Sequence, residues 1–340
     1  FTRGRATCLN SSLASLDTFF DLGVYDIRST IFCCWNAEAI RMRIVVSGAT
    51  GSIGSMLMER LTQSHEVIGL GRNQNKINKM KGLFEMKSCD LESKEFEQII
   101  ATADCFIHCA AFAAPKGKAT HFQKNVDIID AMIPILIEHD VFTIFISSAS
   151  VFDAMPRESV MNSPSIRPKA LYSKSKFDSE QAVLNSSYDN WTGLRPRAVI
   201  GRGDNTVRPR LEKLVKGDKV IIPGKGDALL DYTCMKNFLD CVEAAIIAGP
   251  QRKFLNVSNG EPRTFKQLIT AYSKHMYNIT NARHVPMLPL RIIASIFPTD
   301  RINHYSLDQV SKPMVLDISE TKKLLNWHPR QNLEQCLEDL

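Results

Sequence analysis

Tyr172 and Lys176 stand four residues apart in the run YSKSK, a spacing that on a helix puts both side chains on one face about one turn apart. A phenol with its ordinary pKa of about 10 is a poor proton donor or acceptor near neutrality. A neighbouring ammonium favours the phenolate. Lowering the pKa by roughly three units takes about 4 kcal/mol of differential interaction, within reach of one lysine and a second cation in a desolvated cleft. Tyr172 can then pass a proton to or from a substrate oxygen. A donor must hold that oxygen, and the run ISSASVF offers Ser147, Ser148 and Ser150; Ser148 is the candidate that orients a carbonyl. A Tyr-x-x-x-Lys pair often arises by accident, so its meaning rests on what accompanies it.

Upstream, VVSGATGSIG interrupts a short apolar run with Gly48, Gly51 and Gly54 and resumes as an amphipathic stretch. A glycine-rich turn between strand and helix lets the backbone approach a ligand closely. The N–H groups of the first helical turn and the helix dipole then favour an anion, and phosphate is the natural occupant. The spacing Gly-x-x-Gly-x-x-Gly differs from the G-x-G-x-x-G dinucleotide fingerprint, and a tight turn with close helix packing is the alternative. Gly71-Arg72 ends the second strand, where NAD-binding folds usually carry an acid that grips the ribose hydroxyls. A guanidinium suits phosphate instead, which favours NADP(H) and leaves NAD(H) open. Asp90 closes the third strand, placed either to accept from the adenine amino group or to cap the next helix. Thr50 inside the turn and Leu91 after Asp90 join these candidate cofactor contacts. An oxidised nicotinamide would be the second cation beside Tyr172, with hydride moving to or from its ring.

Such groups need a parallel sheet to position them. From Met42 onward, apolar runs alternate with helical patterns: RIVVSG, EVIGLG, FEMKSCDL, CFIHCAA, VFTIFISSAS and TGLRPRAVIG read as strands. SIGSMLMERLTQS places Ile53, Leu57, Met58 and Leu61 on one stripe, HFQKNVDIIDAMIPILIEH is an amphipathic crossover, and another helix begins near Leu171. Near-continuous apolar strands fit a sheet covered on both faces. Its ligands belong at the carboxyl edge. After Gly201 the chain becomes turn-rich. The expected organisation is therefore a dinucleotide-binding domain over 42–200, with returns near 235–257 from MKNFLDCVEAAIIAG and KFLNVS. Residues 201–340 would form most of a smaller substrate-binding or lid domain. VPMLPLRIIASIF reads either as an apolar lid or as a buried or interfacial helix.

The chain has 340 residues and a formal net charge of +6, but its basic residues are scattered and lack aromatic interleaving, which argues against a nucleic-acid partner. Nine cysteines without a CxxC pair or His/Cys ligand spacing fit a reducing cytoplasm. His108, His121, His304 and His328 are scattered, so no metal is expected. No apolar run approaches the roughly 18 residues of a transmembrane helix. Residues 1–41 contain no methionine and no sustained periodicity. They read as an unstructured extension outside the fold, with a targeting presequence as the rival that Asp17, Asp21 and Asp26 weaken.

In this order, the residues resemble the extended short-chain dehydrogenase/reductase superfamily, the NAD-dependent epimerase/dehydratase type, from about Met42 to the C-terminus. SGATGSIG resembles its T/S-G-x-x-G-x-x-G turn, FIHCAA its VIHxAA strand and SSASVF its SSxxVYG. LRPRAVIGRGD, DYTCMKNFLD, FLNVSNGEPRTFKQLI and VLDISETKKLLNWHPRQNLEQCLED look most like the 3β-hydroxysteroid dehydrogenase-type branch. The resemblance implies a Rossmann-type doubly wound α/β fold and a homodimer through the helix that carries Tyr172 and its neighbour. It implies that Gly48, Gly51, Ser52, Ile53 and Gly54 lie at the pyrophosphate and Cys109 and Ala110 near the adenine ribose. Ser148, Tyr172 and Lys176 would be the catalytic trio, the latter two also touching the cofactor. Phe152-Asp153 departs from the family's Tyr-Gly, and after Arg195, Ala198 and Arg202 stand where the sugar-nucleotide pattern R-x-x-N-V-Y-G-P has its asparagine and proline.

The leading reading is an oxidoreductase that interconverts a secondary alcohol and a ketone on a mostly apolar, steroid-like or long-chain small molecule. A nucleotide-sugar epimerase, dehydratase or reductase is the alternative. A redox-sensing binding module is the third, and the Tyr172/Lys176 pair speaks against it. A chain that starts at Met42 is expected to fold and to keep the activity of the full chain, as circular dichroism and turnover would read; loss of either would refute the extension.

Overall fold

Alternating apolar strands and amphipathic helices build a parallel sheet with helices on both faces. The computed structural model describes residues 41–340 apart from 114–116, 154, 156–162, 298, 300 and 301. The expectation for the N-terminal extension lies, up to residue 40, outside the described residues. Seven strands form the main sheet: Arg43–Ser47 (β1), Glu66–Gly71 (β2), Glu85–Ser88 (β3), Cys105–His108 (β4), Phe142–Ile146 (β5), Trp191–Pro196 (β6) and Phe254–Val257 (β7). Their order is β7-β6-β5-β4-β1-β2-β3, and every neighbouring pair is parallel.

The helices are Ser52–Leu61 (α1), Gln74–Met80 (α2), Lys94–Ile100 (α3), Ala119–Glu138 (α4), Leu171–Leu184 (α5) and Met235–Ala248 (α6). Side chains alternate across a strand, and β1 shows the consequence. Ile44 and Val46 join Leu57, Met58 and Leu61 of α1 and Phe238 and Val242 of α6 in one core. Val45 joins Phe96 of α3, Ile129 and Met132 of α4 and Val183 of α5 in the other. This is the doubly wound Rossmann-type arrangement implied by the sequence. The chain winds one way from β1 to β3 and the other way from β4 to β7, so the carboxyl ends of β1 and β4 flank the crevice where such sheets bind ligands.

Two of the three glycines are fixed by the fold itself. Gly48 has φ +68°, and a Cβ there would sit 2.8 Å from the Ala110 nitrogen across the crevice. A Cβ on Gly54 would lie 2.2 Å from the Gly48 carbonyl oxygen. The third is freer: a Cβ on Gly51 meets only that same oxygen, at 3.1 Å.

Some elements differ from the sequence reading. β6 ends at Pro196 because Ala198 adopts φ +42°, and Val199–Ile200 pairs instead with Thr233–Cys234. β5 ends at Ile146, and Ala149–Phe152 form a 3-10 turn capped by Ser148. Cys109 lies just past β4 rather than within it. Arg41–Leu340 form one compact unit. In its C-terminal part, Met287–Ile296 form a helix with only Ala294 buried, while Leu288 is 71% exposed, so the helix is not a buried one and the lid and interfacial readings both stand. No helix among the described residues is long and apolar enough to cross a membrane.

Gly54→Ala is expected to lower stability by about 3 kcal/mol or more, because backbone blocks the added methyl. Gly51→Ala should cost no more than about 1 kcal/mol. Denaturant unfolding of the two variants measures the contrast, and equal losses would contradict it.

Candidate active site

Helix α5 buries an unusual stripe. Ser173, Lys176, Glu180 and Val183 face inward at helical spacing, so polar groups occupy most of the face that ordinarily carries apolar packing. Buried polar groups must find partners, and these find them on the end of β5. The Lys176 Nζ donates to the Ile146 carbonyl at 2.9 Å. The Ser147 hydroxyl donates to Glu180 Oε1 at 2.5 Å. The Ser148 and Tyr172 side chains share a hydrogen bond. The Ser150 backbone N–H donates to the Ser148 oxygen at 3.2 Å, which leaves the hydroxyl hydrogen of Ser148 for the phenol. The three serines of the cluster thus separate: Ser147 faces inward to Glu180, Ser150 is buried, and Ser148 meets Tyr172.

The expected acidification of Tyr172 by Lys176 is corrected by this geometry. Burial raises the phenol above its ordinary value, opposed by the bond to Ser148 and by the Arg210 guanidinium, while Asp153 adds to the rise. The Lys176 ammonium is engaged under the strand edge instead. Burial brings Lys176 down from 10.5 to about 8, against the opposing effects of Cys109 and Glu180. A cavity of about 20 Å³, lined by His108, Ser147, Lys176 and Glu180 among others, lies beside it.

The glycine turn faces the crevice with no side-chain cap on its helix end. Gly51 caps α1 without a side-chain bond, and the first turn carries no acid, so the amides of that turn and the helix dipole suit an anion. The Ser52 hydroxyl donates to the Gly203 carbonyl at 2.6 Å, tying the segment after β6 to the turn. Thr50 packs against Gly71, and Arg72 follows exposed at the end of β2. Asp90 is exposed, but it does not cap α3. Ser93 does, accepting from the Phe96 N–H at 3.3 Å, and it donates to the Asp90 carbonyl at 2.6 Å. Leu91 is 7% exposed, so its side chain belongs to the core. On the other lip, the Ala110 N–H donates to the Ser47 hydroxyl at 3.3 Å and the Cys109 N–H to the Ser47 carbonyl at 3.2 Å. Burial pushes the Cys109 thiol up to about 12. His108 bonds Ser47 at 2.9 Å, and burial with the Lys176 charge pushes it down to about 3, which makes it a neutral structural histidine.

Sequence reading missed the wall beside Tyr172. Asp153 accepts from the Ser173 hydroxyl and from Gln309 Nε2 (2.8 Å), and Arg197 donates to Gln309 Oε1 at 2.8 Å. Tyr305 shares a hydrogen bond with Ser173, and burial raises its phenol to about 12. Tyr305 and Gln309 come from the helix His304–Ser311, more than a hundred residues beyond α5, and no local signal points to them. The pair Glu180 and Arg195 was also missed, although Glu180 falls one turn after Lys176 and was legible as sharing its face.

The description of one protein family, the NAD dependent epimerase/dehydratase family, matches residues 44–258. Among curated proteins, YbjS of Escherichia coli (strain K12) is 26% identical over 87% of this chain and 96% of its own length. The 2-alkyl-3-oxoalkanoate reductase of Stenotrophomonas maltophilia (strain K279a) is 25% identical over 67% of this chain and 74% of its own length. Among solved structures, UDP-glucuronic acid 4-epimerase from Bacillus cereus in complex with NAD superposes with a TM-score of 0.70 at 20% identity, covering 88% of this chain and 97% of the other.

Holding Lys176 as a buried ammonium costs stability. Its folded pKa of about 8 against 10.5 when exposed corresponds to roughly 3 kcal/mol at neutral pH. The cost is complete below about pH 8, shrinks as pH rises from 8 to 10.5, and is gone above that range. Relative to Lys176→Met, the native chain should therefore gain up to about 3 kcal/mol of stability between pH 7 and pH 10.5, as denaturant unfolding of both across that range measures. A stability difference that does not change with pH would contradict this.

Proposed function

The chain belongs to the NAD dependent epimerase/dehydratase family, and from that premise we propose that it is an NAD(P)-dependent oxidoreductase interconverting a secondary alcohol and a ketone. The observation that carries the reading is the Ser148–Tyr172 hydrogen bond at the carboxyl edge of the sheet, one helical turn from Lys176. A bound nicotinamide supplies the hydride donor or acceptor. Tyr172 gives or takes the proton at the substrate oxygen, and Ser148 redirects its hydroxyl hydrogen from the phenol to that oxygen. A phenol raised by burial is well suited to stay protonated, so the arrangement favours donation to a ketone. Arg210 adds positive charge that favours the phenolate left after donation, while Lys176, on the same helix, is engaged by the Ile146 carbonyl.

The residues of the turn fit a dinucleotide. Gly48, Thr50, Gly51, Ser52, Ile53 and Gly54 would hold the pyrophosphate on the uncapped end of α1. Asp90, Leu91, Cys109 and Ala110 would flank the adenosine, Leu91 through its backbone. The exposed Arg72 supports a preference for NADP(H). A homodimer through α4 and α5 belongs to the same reading and is supported by Ile137, Leu171 and Leu184, exposed on those helices.

For the substrate, likeness to a 2-alkyl-3-oxoalkanoate reductase supports a long-chain ketone. A nucleotide sugar is the second reading. The polar wall of Asp153, Arg197, Tyr305 and Gln309 favours it, because a substrate with many hydroxyls would find partners there.

The test is titration with NADPH and NADH, then turnover of sterols, long-chain hydroxy or keto acids and UDP- or dTDP-sugars. NADPH should bind more tightly, a long-chain keto acid should be reduced, and Tyr172→Phe should lower kcat roughly 100-fold with the fold intact. Turnover of nucleotide sugars alone would select the second reading. Equal or tighter NADH binding would remove the argument from Arg72, and an undiminished Tyr172→Phe would remove the mechanism.

A further inference from the structure

Two turns beyond Tyr172, Glu180 is 1% exposed and makes a two-pronged ion pair with Arg195 of β6, at 2.8 and 2.6 Å. Arg195 is 4% exposed, donates a further N–H to the Phe254 carbonyl of β7 at 3.1 Å, and lies over the rings of Phe152 (5.6 Å) and Phe254 (5.3 Å). The same carboxylate oxygen that receives Arg195 Nε also accepts the Ser147 hydroxyl. Four elements meet at this pair: α5, the end of β5, β6 and β7.

We propose that Glu180 and Arg195 are positioning residues of the reaction: the pair fixes the Ser147–Ser148 end of β5 against the helix that carries Tyr172 and Lys176, and its carboxylate, on the same small cavity as the Lys176 side chain, is the counter-charge of that ammonium. The proposal rests on the reading of Tyr172 and Lys176 given above. Stability alone does not account for the pair, since well-packed apolar residues commonly serve as well as a buried ion pair, or better. What apolar residues cannot supply is negative charge beside Lys176. The ionisable groups around that ammonium are His108 and Cys109 at the end of β4, Tyr172 and Glu180 on its own helix, and Arg195 on β6. His108 is neutral above about pH 3, and the Cys109 thiol, which with Glu180 opposes the effect of burial on Lys176, is itself kept protonated by burial up to about 12, so across the working range, as a neutral thiol, it carries no counter-charge. The Tyr172 phenol is raised and neutral there too. Glu180 is left as the anion that favours the protonated lysine, and Arg195 holds it in place. The strand register follows from the same contacts. Consecutive residues Ile146, Ser147 and Ser148 are gripped by Lys176, Glu180 and Tyr172, side chains spaced at successive turns of one helix.

The experiment follows the Lys176 side chain directly, by NMR titration of the full chain with 13C at the lysine Cε, the signal assigned through Lys176→Arg. The double variant Glu180→Gln/Arg195→Met removes the charges while leaving neither partner buried alone, and Glu180→Asp keeps the charge. The double variant is expected to stay folded, to lower the Lys176 midpoint by about half a pH unit or more, and to move the alkaline limb of kcat to lower pH with it. Its kcat, read by NADPH oxidation with a 2-alkyl-3-oxoalkanoate or by product formation from UDP-glucose, should fall about tenfold or more while KM stays within about threefold. Glu180→Asp should hold the native midpoint. A folded double variant with an unmoved midpoint and kcat within about twofold of native would overturn the proposal. So would a double variant that cannot fold, because the pair would then serve the fold alone. Tyr172→Phe, assayed beside them, separates the two ideas: if it retains full turnover, the reading of the reaction fails while the lysine titration still decides the role of Glu180.

Discussion

Three side chains of one helix grip three consecutive residues at the end of one strand, and the candidate chemistry depends on that grip. Ile146 is held through its carbonyl by Lys176, Ser147 through its hydroxyl by Glu180, and Ser148 through its hydroxyl by Tyr172. A catalytic constellation must be held to a fraction of an ångström, and groups carried on a strand end and a helix are positioned better than groups on loops. The strand lies in the middle of the sheet, paired with β4 on one side and β6 on the other, so neither of its neighbours can shift without the whole sheet. The cost is a helix face with little hydrophobic stabilisation of its own. Helix α5 is kept in place by its polar contacts and by packing on α4, where Asn125 donates to the Ser175 hydroxyl at 3.0 Å and its carbonyl accepts from Ser179 at 3.1 Å.

The opposite lip of the crevice is built from close backbone contact rather than from side-chain bonds. Gly48 and Gly54 let α1, the end of β1 and the segment after β4 approach until no side chain fits between them. Ser47 completes the junction, with its hydroxyl shared between His108 and the Ala110 N–H. The result is a rigid seat with an uncapped helix end. Rigidity here has a function-linked reason: donors that are already oriented need no reorganisation when an anion arrives. Gly51 is the one of the three glycines that packing demands least, which on the proposed reading leaves its lack of a side chain to the ligand side of the turn.

Legibility in the sequence followed the range of the interactions. The glycine turn, the order of strands and helices and the helical spacing of Tyr172 and Lys176 are local patterns, and each was readable because period and turn chemistry act over a few residues. The doubly wound sheet followed from them. Features set by tertiary contact were not readable. The sequence placed Lys176 near Tyr172 on a helix face, but only the fold turns the ammonium to Ile146 and brings Arg210 into reach of the phenol. Asp90 looked like a cap because acids often are; Ser93, three residues on, offers the better-placed oxygen. The break in β6 depends on a positive φ at Ala198, which no residue preference announces. Phe152-Asp153 was visible as a departure from the family pattern, yet its meaning needed distant partners. Phe152 is fully buried beneath Arg195, and Asp153 joins α5 to the helix that carries Gln309.

Asp153 also bears on the choice between an apolar and a polar substrate. A carboxylate near the Tyr172 phenol raises its pKa, and by itself would repel a negatively charged group beside it. Its oxygens are engaged by Ser173 and Gln309, so its charge is partly spread into hydrogen bonds. Arg210 is exposed and acts on the same phenol with the opposite sign. The space around Tyr172 is thus polar on one side through Asp153, Tyr305 and Gln309, and positively biased on another through Arg210. A wholly hydrocarbon substrate would leave these groups poorly matched at the point where bond-making occurs. On the proposed reading, a ketone that carries an acidic or hydroxylated partner close to the carbonyl would satisfy them, whether the remainder of the molecule is an alkyl chain or a sugar nucleotide. The electrostatics of the wall therefore constrain the reacting end of the substrate more tightly than its tail.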